Sequence, residues 1–117
     1  MLSAALAGVY LRIVGLKIYL DDMRPCPDGW ALVTTPEAAI ELLGKGNVEE
    51  ISLDYDLGLD DMRSGYMVAL WIEEQVHYND FVPPKISLHT ANPVGRARME
   101  WVLRSIERML EARNDDS

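Results

Sequence analysis

Three short apolar runs in this chain each stop abruptly at polar side chains that can do chemistry. Lys17-Ile18-Tyr19-Leu20 runs into Asp21-Asp22. Ile51-Ser52-Leu53 runs into Asp54-Tyr55-Asp56. Lys85-Ile86-Ser87-Leu88 runs into His89-Thr90-Ala91-Asn92. Short runs of this kind read as buried strands. In an open α/β sheet, ligands bind beyond the carboxyl ends of the strands. Segments far apart in the chain would then build one crevice. Several carboxylates in one crevice repel each other unless a cation or a shared proton intervenes. An oxygen-rich cluster of this kind suits a hard divalent cation such as magnesium or manganese.

The segments between these runs alternate strand with helix. Arg24-Pro25-Cys26-Pro27-Asp28-Gly29 is turn chemistry, so no long helix is expected directly after the first strand. Residues 30–34 read as a second strand. Thr35-Pro36-Glu37 opens a helix, with threonine as N-cap and proline at the first position. Residues 49–53 form the third strand, and Ser64 caps a broadly apolar helix over residues 65–77. Pro83-Pro84 breaks the chain before the fourth strand, over residues 85–88. Pro93 starts a last helix, in which Met99, Val102, Leu103, Ile106, Met109 and Leu110 follow helical spacing. The alternation predicts a parallel sheet with helices on both of its faces.

Length and charge narrow the function. A chain of 117 residues fits one domain. Residues 1–16 read as an N-terminal extension, 17–113 as the domain and 114–117 as a solvated tail. The extension is too short and interrupted to span a bilayer, and no positive region precedes its apolar run. With 19 acids against 11 bases, the net charge is -8. That argues against duplex DNA and anionic membranes as partners. A small phosphorylated ligand or an RNA end remains compatible, because a bound cation offsets its charge. Self-association as a homodimer is left open. One cysteine, Cys26, makes no internal disulfide, which points to the cytoplasm.

The motifs resemble the receiver domain of bacterial response regulators, a flavodoxin-like module. Asp21-Asp22 matches the acidic pair that ends the family's first strand and helps hold magnesium. Asp54 matches the phospho-accepting aspartate, Gly65 the glycine opening the next helix, and Thr90-Ala91 the pair ending the fourth strand. The resemblance implies strand order 2-1-3-4 in a small three-layer domain. The family's fifth strand and its Lys-Pro are missing here. A divergent branch is more similar: the cyclic-phosphate processing receiver-like family of bacteria and phages. It shares Leu20-Asp21-Asp22-Met23-Arg24-Pro25, Ser52-Leu53-Asp54-Tyr55-Asp56-Leu57-Gly58 and His89-Thr90-Ala91-Asn92-Pro93-Val94-Gly95-Arg96. Many members carry histidine where Tyr55 stands.

Two expectations follow. The first is a metal-dependent phosphoesterase acting on cyclic-phosphate nucleotides or RNA ends. Asp21, Asp22, Asp54 and Asp56 would hold the cation, and Asp54 and His89 would carry the chemistry. Arg24, Thr90, Asn92 and Arg96 would bind the phosphate, with Arg96 sharing it with free backbone N–H groups at a helix start. Water and Asp54 both stand as nucleophiles. The second expectation is a non-catalytic, receiver-derived interaction or signalling module. Asp60 and Asp61 read as solvated loop charges, and Cys26 as inert. Trp30, Trp71 and Trp101 read as packing residues.

Overall fold

The computed structural model describes residues 15–58 and 63–115. The order is β1 (Leu16–Leu20), β2 (Ala31–Val33), α1 (Pro36–Lys45), β3 (Val48–Leu53), α2 (Gly65–Asn79), β4 (Lys85–Leu88) and α3 (Pro93–Asp115). The strands form one parallel sheet in the order β2-β1-β3-β4, as expected. The start of β1 is set by pairing, since Leu16 aligns with Val48 and its N–H donates to the Asn47 carbonyl. Helix α3 runs through Asp115, two residues into the segment that reads as tail. The remainder of the expected extension, and Asp60 and Asp61, lie outside the described residues.

Local chemistry sets the helix starts. The Thr35 hydroxyl accepts from Ala38 N–H, with Pro36 at the first helical position. The Ser64 hydroxyl accepts from Tyr66 N–H. Helix α2 ends two residues later than its sequence pattern suggests, where Asp80 takes a left-handed backbone at φ 52°.

Register separates the two faces of the sheet. Ile18, Ile51 and Ile86 align across β1, β3 and β4, and so do Leu20, Leu53 and Leu88. Ile18, Leu20, Ile51 and Leu53 are fully buried. Each such side chain contributes about 1.5–3 kcal/mol on burial. They join one core with Ala39 and Leu43 of α1, Val68, Ala69, Ile72 and Val76 of α2, and Met99, Val102 and Ile106 of α3. The alternate positions are polar: Lys17, Glu50 and Lys85 align, then Tyr19, Ser52 and Ser87. Glu50 pairs with Lys17 at 4.0 Å and with Lys85 at 3.4 Å.

This layering corrects the expectation of helices on both faces. Among the described residues, α1, α2 and α3 all feed the core on the Ile18 face. The reason is the direction of the connections. From β2 to β3 to β4 the chain crosses the sheet one way, so right-handed crossovers fall on one side. Only β1 to β2 runs the other way, and a proline-rich loop makes that step. It ends at Trp30, which meets Tyr19 edge-on with ring centroids 6.2 Å apart.

The tryptophans divide. Trp71 packs edge-on against Phe81 at 5.6 Å. Trp101 is exposed, with the Arg104 guanidinium 5.4 Å from its ring centroid, contrary to the packing expectation. It lies about 200° around α3 from buried Met99 at 100° per residue. Among the described residues, no helix is long and apolar enough to cross a membrane.

Candidate functional site

Chains leaving β1 and β3 depart in opposite directions, which opens a crevice at their carboxyl ends. Asp21 follows β1, Asp54 follows β3 and His89 follows β4. Each backbone is tied to its neighbour: Asp21 N–H to Val33 O, Asp54 N–H to Leu20 O, and His89 N–H to Leu53 O. One ligand atom from each of Asp21, Asp54 and His89 lies within 4.8 Å of the other two.

Asp21 is buried and anchored on both oxygens. Its Oδ1 accepts from Met23 N–H at 2.8 Å and from Arg24 N–H at 2.9 Å. Its Oδ2 lies 2.9 Å from His89 Nε2. Burial pushes the Asp21 carboxyl upward and is the largest single influence. The hydrogen bonds from Arg24, Met23 and His89, with the His89 charge, together outweigh it and hold the group below the usual aspartate range.

His89 is held on three sides. Its Nδ1 lies 2.6 Å from Ser52 Oγ. The Tyr19 ring stacks on it at 4.1 Å, only 7° from parallel. Arg24 Nη1 donates to its backbone carbonyl. With a bare Nε2, His89 would be a metal ligand. With a proton there, it would be a proton donor. Two partners of this ring, Ser52 by hydrogen bonding and Tyr19 by stacking, were not singled out from the sequence. Two-residue alternation places Tyr19 with Asp21, and Ser52 with Asp54, on one face. That spacing is the signal that could have found them.

Asp54 is also nearly buried, and its Oδ1 accepts from Tyr55 N–H at 2.8 Å. Helix α2 begins directly against it. A Cβ at Gly65 would sit 1.8 Å from the Asp54 carbonyl oxygen, so only glycine fits. Tyr55 points to α3 instead, where its ring lies over Gly95 and its hydroxyl accepts from Arg98 at 3.1 Å.

The other residues singled out from the sequence stand around this group. Asp22 and Asp56 are exposed and lie outside it. Asp22 directs its carboxylate toward Gly58, and Asp56 accepts from Asn92 Nδ2 at 3.1 Å. Asn92 caps α3: its Oδ1 accepts from Val94 and Gly95 N–H, each at 3.0 Å. Thr90 Oγ1 accepts from Asn92 N–H. Arg96 N–H donates to the Asn92 carbonyl. The N–H groups of residues 94–96 are therefore occupied, which corrects the expectation that free ones flank Arg96. The Arg96 side chain bonds Glu100 at 2.9 Å and the Leu88 carbonyl at 3.4 Å. Cys26 is half-buried, its thiol 3.3 Å from the Trp30 carbonyl.

The sheet order and the acidic crevice at its switch point define a receiver-like α/β domain. The family model described as the cyclic-phosphate processing receiver domain matches residues 16–105, more than half of the chain. The chain belongs to that family, which its description links to cyclic-phosphate processing. No curated protein and no solved structure matches it.

Proposed function

We propose that this chain is a metal-assisted phosphoesterase that opens cyclic phosphates on nucleotides or RNA ends. The observation that carries the reading is the meeting of Asp21, Asp54 and His89 within 4.8 Å at three adjacent strand ends. Two carboxylates offer oxygen ligands suited to a hard divalent cation, with an imidazole beside them for proton transfer. Asp21 and Asp54 would hold it, with Asp22 and Asp56 adding negative charge nearby. The cation would supply charge stabilisation at a phosphoryl oxygen and a lowered pKa for water.

The protein's own groups do the rest. His89 gives a proton to the departing ribose oxygen as the ring P–O bond breaks. The bond that forms joins phosphorus to water, or to the Asp54 carboxylate, whose mixed anhydride water then hydrolyses; on either route the water's proton returns to His89. Arg24 and Arg96 both fasten onto carbonyls at the end of β4 and supply positive charge at the rim. Asn92 and Thr90 shape the turn that leads into the helix carrying Arg96.

One observation favours a second reading. Among the described residues, no buried side-chain nitrogen or oxygen lacks a hydrogen-bond partner. A network satisfied in this way can hold a fold without any ligand. The chain would then be a non-catalytic interaction module derived from a receiver. The deciding experiment incubates the protein with a panel of cyclic-phosphate nucleotides and RNA ends, with Mg²⁺, Mn²⁺ or chelator. Metal-dependent ring opening that Asp54→Asn abolishes is the expected result. No turnover with either metal, together with a melting temperature that neither raises, would favour the interaction module.

A further inference from the structure

We propose that the outer face of α3 is a binding track for single-stranded RNA, holding the strand that leads up to the end in the crevice. Trp101 supplies the stacking surface, and Arg98, Arg104 and Arg108 hold phosphates. The inference deepens the phosphoesterase reading by committing it to RNA ends, and rests on that reading for what the strand does there. Binding along the track itself needs no turnover.

The helix sorts its surface by charge. At 100° per residue, Val94, Arg98, Trp101, Arg104 and Arg108 fall within a sector of about 120°, away from buried Met99, Val102 and Ile106. Glu100, Glu107 and Glu111 fall together in a separate sector of about 40°. Every member of the stripe is exposed, Trp101 at 68% and Val94 at 67%. The chain carries a net charge of -8, and Lys17, Lys45, Arg63, Lys85, Arg96 and Arg113 each pair with an acid. Among the described residues, no acid pairs with Arg98, Arg104 or Arg108. Unpaired positive charge gathered on one helix face of an acidic protein is the footprint of an anionic partner.

The aromatic member decides which anion. An acidic peptide would need the arginines alone. A large ring left in water among them suits a partner with flat faces, and every nucleobase has one. The Arg104 guanidinium sits 5.4 Å from the Trp101 ring centroid and extends that surface, since bases stack on guanidinium planes as well as on rings. Duplex bases already stack on one another, so the strand that fits is single. The track also joins the candidate site. Arg98 Nη1 donates to the Tyr55 hydroxyl at 3.1 Å, and Tyr55 directly follows Asp54. The Arg98 guanidinium lies 5.8 Å from the Tyr66 ring centroid, at the start of α2. From Pro93 to Arg108 the helix rises about 22 Å, room for several nucleotides leading away from the crevice.

The test is fluorescence anisotropy of the full-length protein with a labelled single-stranded RNA of about ten nucleotides, in chelator so that nothing is turned over. The wild type should bind it more tightly than the same RNA in a duplex. Trp101→Ala should weaken binding about 5- to 150-fold, the cost of one lost base stack, and Trp101→Phe should recover most of it. Arg108→Ala should reduce the slope of log affinity against log salt by about 0.7, the value for one phosphate on a single strand. Tyr78→Ala removes a ring that is 73% exposed outside the track and should bind as wild type. No binding, equal binding of the duplex, or wild-type affinity in Trp101→Ala overturns the proposal. So does a polyglutamate peptide that displaces the RNA and also needs Trp101, which would assign the face to an acidic protein. If Trp101→Ala does not fold, the double variant Arg104→Glu, Arg108→Glu decides, and retained RNA binding overturns the track. If the RNA binds as expected while neither Mg²⁺ nor Mn²⁺ gives turnover of any cyclic phosphate, the track stands and the phosphoesterase reading fails.

Discussion

His89 Nε2 lies 2.9 Å from Asp21 Oδ2, a contact across β3 between residues 68 positions apart. It joins the ends of two strands that do not pair with each other. Removing the imidazole has two consequences. Loss of a proton-transfer group costs about two to four orders of magnitude in rate. Loss of a hydrogen-bond partner for a buried group costs about 1–3 kcal/mol. His89→Ala should therefore abolish measurable ring opening and lower the urea midpoint together. An unchanged midpoint would show that the Asp21 contact contributes nothing to stability.

Acid should weaken the fold through Asp21. Its carboxyl titrates below the ordinary value of 3.8 in the folded chain, because backbone and His89 hydrogen bonds outweigh burial. The unfolded chain then binds more protons in the window between the two values. Stability is fully present above the unfolded value and is lost as pH falls through the lower, folded one. Asn at position 21 has no such titration. Urea midpoints of wild type and Asp21→Asn should differ above roughly pH 4 and converge below it. A difference that stays constant down to strong acid would overturn the assignment.

Three glycine replacements should separate sharply. At Gly65 a Cβ would sit 1.8 Å from backbone oxygen of Asp54, and at Gly95 it would sit 2.2 Å from the Tyr55 ring. Overpacking of this kind costs about 1–3 kcal/mol, occasionally more. Gly65→Ala should be the worse, because strand-end backbone cannot swing aside as a ring can. It should also displace Asp54 and cut activity. Gly44, inside α1, has nothing within 4 Å of a new Cβ. Gly44→Ala should stabilise by about 0.5–1 kcal/mol. Thermal melts of the three variants check the order.

The legible parts of this molecule were those that local chemistry decides. Thr35, Ser64 and Pro93 each mark a helix start, because a cap or a proline acts within one turn. The convergence of Asp21, Asp54 and His89 was legible too, since parallel strands end on one edge. What escaped depended on direction. Asp21 and Asp22 are consecutive, and alternation near a strand end sends them apart, so adjacency in sequence overstated the acidic group. Asp56 lies beyond the strand, where the turn gives it to Asn92. Ser52 was hidden because a serine within a strand looks like an ordinary strand residue. Its contact with His89 emerges only when β3 and β4 are paired. The one-sided helix layer required the strand order and the handedness of each crossover together.

Asn92 ties two of these levels together and gives a last test. Its Oδ1 caps α3 through Val94 and Gly95, while its Nδ2 holds Asp56. Alanine removes both functions. Loss of an N-cap side chain costs about 0.5–2 kcal/mol, so Asn92→Ala should lower stability by that amount. Aspartate keeps the capping oxygen, and negative charge suits a helix N-terminus. It loses the donor to Asp56 and sets two carboxylates against each other. Asn92→Asp should therefore keep near-native stability and release the loop that carries Asp56. Urea denaturation measures the first effect. Faster amide exchange at residues 56–58 in Asn92→Asp measures the second. Equal stability loss in both variants would mean that the Asp56 contact, and not the cap, is what Asn92 supplies.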